Sequence, residues 1–269
     1  MKFSFSSFLT KLTLTASVAS VLVGCDEPEY ATPTPVTEST VGQARVLVVN
    51  AAPGATGTAV TVDNASFGTA LPYLGASAIT PIAAGLRLFI FNEPTNIPSN
   101  APAGSAARPL VSRTSFLGGT NYTVFLTDPT NRALIGTTDQ GGIRSLVLTD
   151  NLAAPAAGNA KVRFVNLAPS GTYGIFNGAT SFFPAAPLRG FRALNSGTTA
   201  PVTTYANFTE VAAGTYNLDV RSVATTPLAG TAQSLTFTAG KIYTLYVRGV
   251  AASATPTATS LGISVVQHN

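Results

Sequence analysis

The chain has no tryptophan, a single cysteine, a single histidine and few charges: only 10% of its 269 residues are Asp, Glu, Lys or Arg. Each shortage excludes something. One cysteine forms no internal disulfide, so packing alone must hold the fold. Any Ser-His-Asp or Cys-His device would need His268, the one histidine. It lies next to the last residue, where a fraying end is expected to hold a base poorly. Asp63, Glu93, Asp128, Asp139, Asp150, Glu210 and Asp219 stand singly and are expected near turns, not as the opposed pair that glycosidase chemistry needs. Asp139-Gln140-Gly141-Gly142 could hold calcium only loosely, with no second acid beside it. No catalytic residue, metal site or cofactor is expected. The absent tryptophan removes the best sugar-stacking side chain and leaves Tyr and Phe as weaker substitutes.

The cysteine that is present is the most telling residue. Lys2 and Lys11 give a positive leader, and Leu12 to Val23 is an apolar run of a dozen residues. That is too short to span a bilayer, which takes roughly 20, but suits the apolar core of a secretory signal peptide. It ends in Leu22-Val23-Gly24-Cys25, which resembles the lipobox of type II signal peptides. The resemblance implies removal of residues 1–24, lipid on the Cys25 sulfur and a membrane anchor. Residues 25–41 follow as an acidic, proline-bearing stretch with Asp26, Glu27, Glu29 and Glu38, expected to act as a disordered tether. Acids directly after the cysteine resemble the export signal of surface lipoproteins in Bacteroidota, which implies an outer-membrane, surface-exposed protein. In enterobacteria an aspartate there resembles an inner-membrane retention signal, so the leaflet stays open.

Beyond residue 24 the balance is 13 basic to 11 acidic side chains, which gives no reason to expect nucleic acid. Ala, Thr, Gly and Val are abundant, a composition of short strands and tight turns. Nothing after the tether keeps a helical period. Two segments repeat. Ala44-Arg45-Val46-Leu47-Val48-Val49-Asn50-Ala51-Ala52-Pro53 aligns with Ala160-Lys161-Val162-Arg163-Phe164-Val165-Asn166-Leu167-Ala168-Pro169. Ile82-Ala83-Ala84-Gly85 recurs as Val211-Ala212-Ala213-Gly214, and Gly119 to Leu126 as Gly240 to Val247. Three blocks in one order predict two copies of a domain, residues 42–151 and 160–269, joined by an Ala/Pro/Gly linker at 152–159. Tyr216, Leu218 and Val220 alternate with polar residues, as on a half-buried strand. Val46 to Val49 is apolar throughout and belongs mid-sheet. Asp63-Asn64 and Asn177-Gly178 read as hairpin loops. The expected fold is all-β: two tandem Greek-key β-sandwich domains, immunoglobulin-like or transthyretin-like, of seven or so strands each. A small barrel is the alternative.

These blocks, with Phe67-Gly68 and Tyr73, resemble the bacterial family catalogued as domain of unknown function 4397. The resemblance implies an exported β-rich domain, often in tandem and often lipid-anchored, and carries over no catalytic residue. The second copy departs from the pattern in length. Between the hairpin and the next Tyr the first copy has residues 65–72 and the second has 179–204. The surplus carries Phe182, Phe183, Arg189, Phe191 and Arg192. Long loops are usually functional or disordered, and aromatics with Arg suit a binding hot spot. Alternatively, these side chains plug the sandwich or cement the contact with the first copy. The function expected is a non-enzymatic, membrane-anchored and surface-displayed binding or structural module, with a surface protein or a polysaccharide as its partner. The alternative is an accessory lipoprotein that captures polysaccharide for uptake. Coplanar exposed aromatics would favour glycan; an exposed apolar patch beside Arg would favour a protein partner.

Overall fold

Alternating and continuous apolar runs both become strands in the computed structural model, which describes residues 42–196 and 204–269. No described residue is helical, so no helix there is long and apolar enough to cross a membrane. The first half supplies β1 (Gln43–Asn50), β2 (Ala59–Val62), β3 (Ala65–Ser66), β4 (Thr80–Ala83), β5 (Gly85–Asn92), β6 (Leu110–Phe116), β7 (Asn121–Thr127) and β8 (Arg144–Asp150). The second supplies β9 (Asn159–Asn166), β10 (Gly174–Asn177), β11 (Thr180–Ser181), β12 (Thr209–Ala212), β13 (Gly214–Arg221), β14 (Gln233–Phe237), β15 (Ile242–Arg248) and β16 (Gly262–Gln267). The sheets of the first half run β4-β1-β7-β8 and β3-β2-β5-β6; those of the second run β12-β9-β15-β16 and β11-β10-β13-β14. Strand for strand the order is the same, with eight strands per half where about seven were expected. The fold is all-β, two sandwich-like halves.

Each half closes on its own core. Val46, Val48, Phe89, Phe91, Phe116 and Tyr122 fill the first; Val162, Phe164, Ile175, Leu218, Phe237 and Tyr243 fill the second. Tyr122 and Tyr243 are buried, and each hydroxyl accepts a backbone N–H five residues upstream, from Leu117 (2.9 Å) and Thr238 (3.2 Å). This fixes the turn into β7 or β15, in the manner of a tyrosine corner. Gly119 and Gly240 take positive φ in those turns (73° and 81°), a conformation that suits glycine. Asn50 and Asn166 are likewise equivalent. Each buried amide donates to two neighbouring acceptors while its oxygen takes the N–H of Ala52 or Ala168.

Of the two hairpin loops expected from the sequence, one is as read and the other differs. Asp63-Asn64 is a two-residue loop with both φ positive (49° and 68°), as type I′ requires. The second hairpin is shifted by one residue: Asn177 pairs with Thr180, so the loop is Gly178-Ala179. The pairing of β1 with β7, and of β9 with β15, is parallel. The strands at the middle of these sheets are covered on both faces, which is why they read as unbroken apolar runs.

The second cover is the other half. Leu47, Val49, Ala51, Phe125, Leu146 and Leu148 form a third apolar cluster with Val165, Leu167, Tyr246 and Val266. The described residues after the tether therefore form one compact unit. Phe125 and Tyr246 occupy equivalent positions and touch each other, with ring centroids 5.4 Å apart. Contact between equivalent residues is the mark of a pseudo-twofold, isologous interface.

Candidate functional site

Where equivalent positions differ, the interface becomes polar. Leu47 of β1 corresponds to Arg163 of β9, whose side chain is fully buried. A buried guanidinium must be paired and hydrogen-bonded to be tolerated. Its Nη2 donates to Asp150 Oδ1 (2.6 Å) and its Nε to Thr244 Oγ1 (2.7 Å). Nη1 reaches the carbonyls of Thr149 (3.3 Å) and Ala206 (3.4 Å). The Phe208 ring lies 4.5 Å from the guanidinium carbon. Burial lowers the Arg163 pKa, and Asp150 opposes that shift. Asp150 belongs to the first half and Arg163 to the second, so the ion pair bolts the halves together.

His268 is not frayed. It is 3% exposed, and its backbone N–H donates to the carbonyl of Ile242 (2.9 Å). The Thr244 hydroxyl, which accepts from Arg163, also shares a hydrogen bond with His268 Nε2, 2.7 Å away. Nδ1 has no hydrogen-bond partner among the described residues and lies 3.7 Å from Asp150 Oδ2. Burial pulls the His268 pKa down to about 4. Hydroxyl, imidazole and carboxylate stand in the order of a nucleophile, its base and an orienting acid. Thr244 is fully buried, however, and its oxygen already accepts from Arg163. No substrate carbonyl can reach it in this geometry.

The other acids are also occupied. Asp128 is 1% exposed and takes Arg144 through both oxygens (2.9 and 3.1 Å). Asp139, the calcium candidate, is spent on Arg132 (2.6 and 2.8 Å). Burial pushes the Glu93 carboxyl up, but hydrogen bonds from Thr56, Thr58 and Thr95 outweigh it and hold the pKa at about 2. Asp63 pairs with Arg87 and Asp219 with Arg221, while Glu210 accepts from Asn159. Asp150 was expected near a turn; instead it is buried between the halves.

Cys25, the expected lipidation site, lies outside the described residues, as do the signal segment and most of the tether. The long loop is described up to residue 196, and its side chains turn inward. Phe183 is buried against Phe164, and Phe182 packs on Tyr216 and Phe237. Arg189 is 6% exposed and has no acid partner among the described residues. It sits among Phe164, Phe183 and Tyr205, 4.4 to 5.0 Å from their centroids, and donates to the Phe164 and Ala186 carbonyls. Burial lowers its pKa to about 10. Arg192 reaches into the first half, to Thr127, Asp128 and the Ser145 carbonyl. Phe191 is half-buried. Of the two roles open to this loop, plug and cement are what these contacts perform.

The same loop walls a cleft of about 650 Å³ between β8 and the second half, lined by Thr149, Asn151, Lys161, Leu194, Asn207 and Phe208 among others. Phe208 takes the place of Ile79 in the first half, and that change carried no signal in the sequence. Arg163 did carry one: a charge interrupting a run that is apolar in the first copy must find a buried partner.

Two further features of the outer sheets bear on function. In β5 and β6, Leu86 (60% exposed), Leu88, Ile90 and Val111 (54% exposed) share the outward face with Arg113. The same face of the second half carries Thr215, Asn217, Asp219, Ser234 and Thr236.

Residues 44–172 match the family model described as Domain of unknown function (DUF4397). The matched segment spans β1 to β9 and therefore crosses the buried contact between the halves. No curated protein matches the chain. Among solved structures, one described as "Putative cell adhesion protein from Parabacteroides distasonis ATCC 8503" aligns over 86% of this chain and 99% of its own, at 10% identity and a TM-score of 0.20.

Proposed function

We propose that this chain is a non-enzymatic lipoprotein module, anchored through Cys25 and displayed at the cell surface, that binds a protein partner. The anchor rests on the lipobox-like segment, and display rests on the acidic stretch after it. The second half is read as a second copy of the DUF4397 domain, supported by the identical strand order and by the matched roles of Asn50 with Asn166 and Tyr122 with Tyr243. The observation that carries the binding role is the outward face of β5 and β6. Its aliphatic stripe is replaced by hydroxyl, amide and carboxylate groups in the second half, so the fold itself does not require it. Arg108 and Arg113 are near or within it and have, among the described residues, neither an ion pair nor a side-chain hydrogen bond. An apolar centre with unneutralised arginines suits a protein surface that is apolar with acidic residues around it. The outward face of β5 and β6 carries no Phe or Tyr, which gives glycan capture no aromatic platform there. That alternative draws on the cleft.

A photo-crosslinking residue at position 111, on intact cells, tests the reading; the same residue at position 236 marks the polar face. The expected result is one defined protein adduct from position 111, none from 236, and loss of the adduct in Leu86→Glu with an unchanged melting temperature. In Cys25→Ser the adduct should vanish because the protein leaves the membrane. Equal labelling from both faces, or retention of the Cys25→Ser protein on the cell, contradicts the proposal.

A further inference from the structure

The cleft between the halves has a chemistry that the apolar face lacks. Its volume of about 650 Å³ lies within the range of small-molecule sites. Phe208 is half-buried: the Arg163 guanidinium stacks on the ring, His268 meets it with planes at 82°, and its remaining surface lines the cleft. Around it stand groups with spare hydrogen-bonding capacity. Among the described residues the Asn207 amide and the Thr149 hydroxyl have no partner. The Asn151 oxygen accepts from the Ala153 N–H, and its amide protons are unused. Lys161 gives one proton to the Ala153 carbonyl (2.7 Å). Across the β9–β12 pairing it faces Glu210, whose carboxyl is lowered mainly by its Asn159 hydrogen bond and slightly by Lys161. The cation at the cleft is thus offset by a carboxylate, and the ion pair behind Phe208 is internally balanced.

We infer that this cleft binds an uncharged saccharide, one pyranose ring lying against Phe208 with its hydroxyls on Asn151, Asn207, Thr149 and Lys161. Amides and hydroxyls both donate and accept, which is what a ring of sugar hydroxyls demands. An aromatic ring offers its surface to the apolar C–H face of the sugar. A charged ligand would meet no surplus charge of opposite sign. The long loop of the second copy supplies Leu194 to the wall, so its extra length builds a pocket although its arginines and phenylalanines point into the protein. The site is separate from the β5–β6 face, and each can fail without the other.

The full chain in detergent micelles, titrated with maltotriose, cellotriose, mannotriose and tri-N-acetylglucosamine by calorimetry and saturation-transfer NMR, tests this. At least one neutral trisaccharide should bind saturably at millimolar concentration. Asn207→Ala, an exposed position, should weaken it by about tenfold at unchanged melting temperature, and Phe208→Leu should abolish the transfer signal from the sugar C–H protons. No saturable binding by any of the four overturns the inference. So does binding indifferent to Asn207→Ala, or a preference for trigalacturonate over every neutral sugar.

Discussion

Arg163 shows how one substitution between repeats reorganises an interface. Its counterpart Leu47 needs only apolar neighbours, whereas Arg163 draws in Asp150, Thr244 and the Thr149 carbonyl, and Asp150 lies beside His268. The histidine gives this cluster a pH signature. Its folded pKa of about 4 lies below the ordinary 6.5, so between those values the unfolded chain binds more protons. Stability from this group is complete above pH 6.5 and is lost as pH falls toward 4, on the order of 3 kcal/mol in all. Thermal melts from pH 7 to pH 4 should show the wild type losing stability more steeply than His268→Gln. Parallel curves would mean that the histidine is charged or exposed in the folded protein.

Among the elements, strands were legible and their partners were not. Period-2 alternation in β13 and the apolar block of β1 both became strands, because one-sided and two-sided burial write different patterns. The parallel pairing of β1 with β7 left no trace, since register depends on residues far apart in the chain. Asn50 and Tyr122 looked like motif residues and proved to be backbone fasteners, which repeats preserve as readily as binding sites. The long loop was identified by length alone; which way Phe182 or Arg189 pointed needed the packed neighbours. The double change Phe182→Ser with Arg192→Ser should therefore lower the melting temperature. Removing a partly buried aromatic and the ties to Thr127 and Asp128 costs about 3 kcal/mol, or roughly 6–12 °C for a domain of this size. An unchanged melting temperature would show that the loop is free to serve as a recognition segment.

At the scale of the whole molecule, the repeat predicted two cores and the structure adds a third between them. Each half covers a face of the other that would otherwise expose Leu47, Val49 and Phe125 or Val165, Leu167 and Tyr246. Coupling of this kind makes unfolding of one half expose apolar surface on the other. Calorimetry of the wild type beside Tyr122→Ala and Tyr243→Ala tests that coupling most directly. The account predicts one transition whose calorimetric and van't Hoff enthalpies agree, displaced as a whole by either substitution. Two transitions, with each substitution moving only its own, would contradict it.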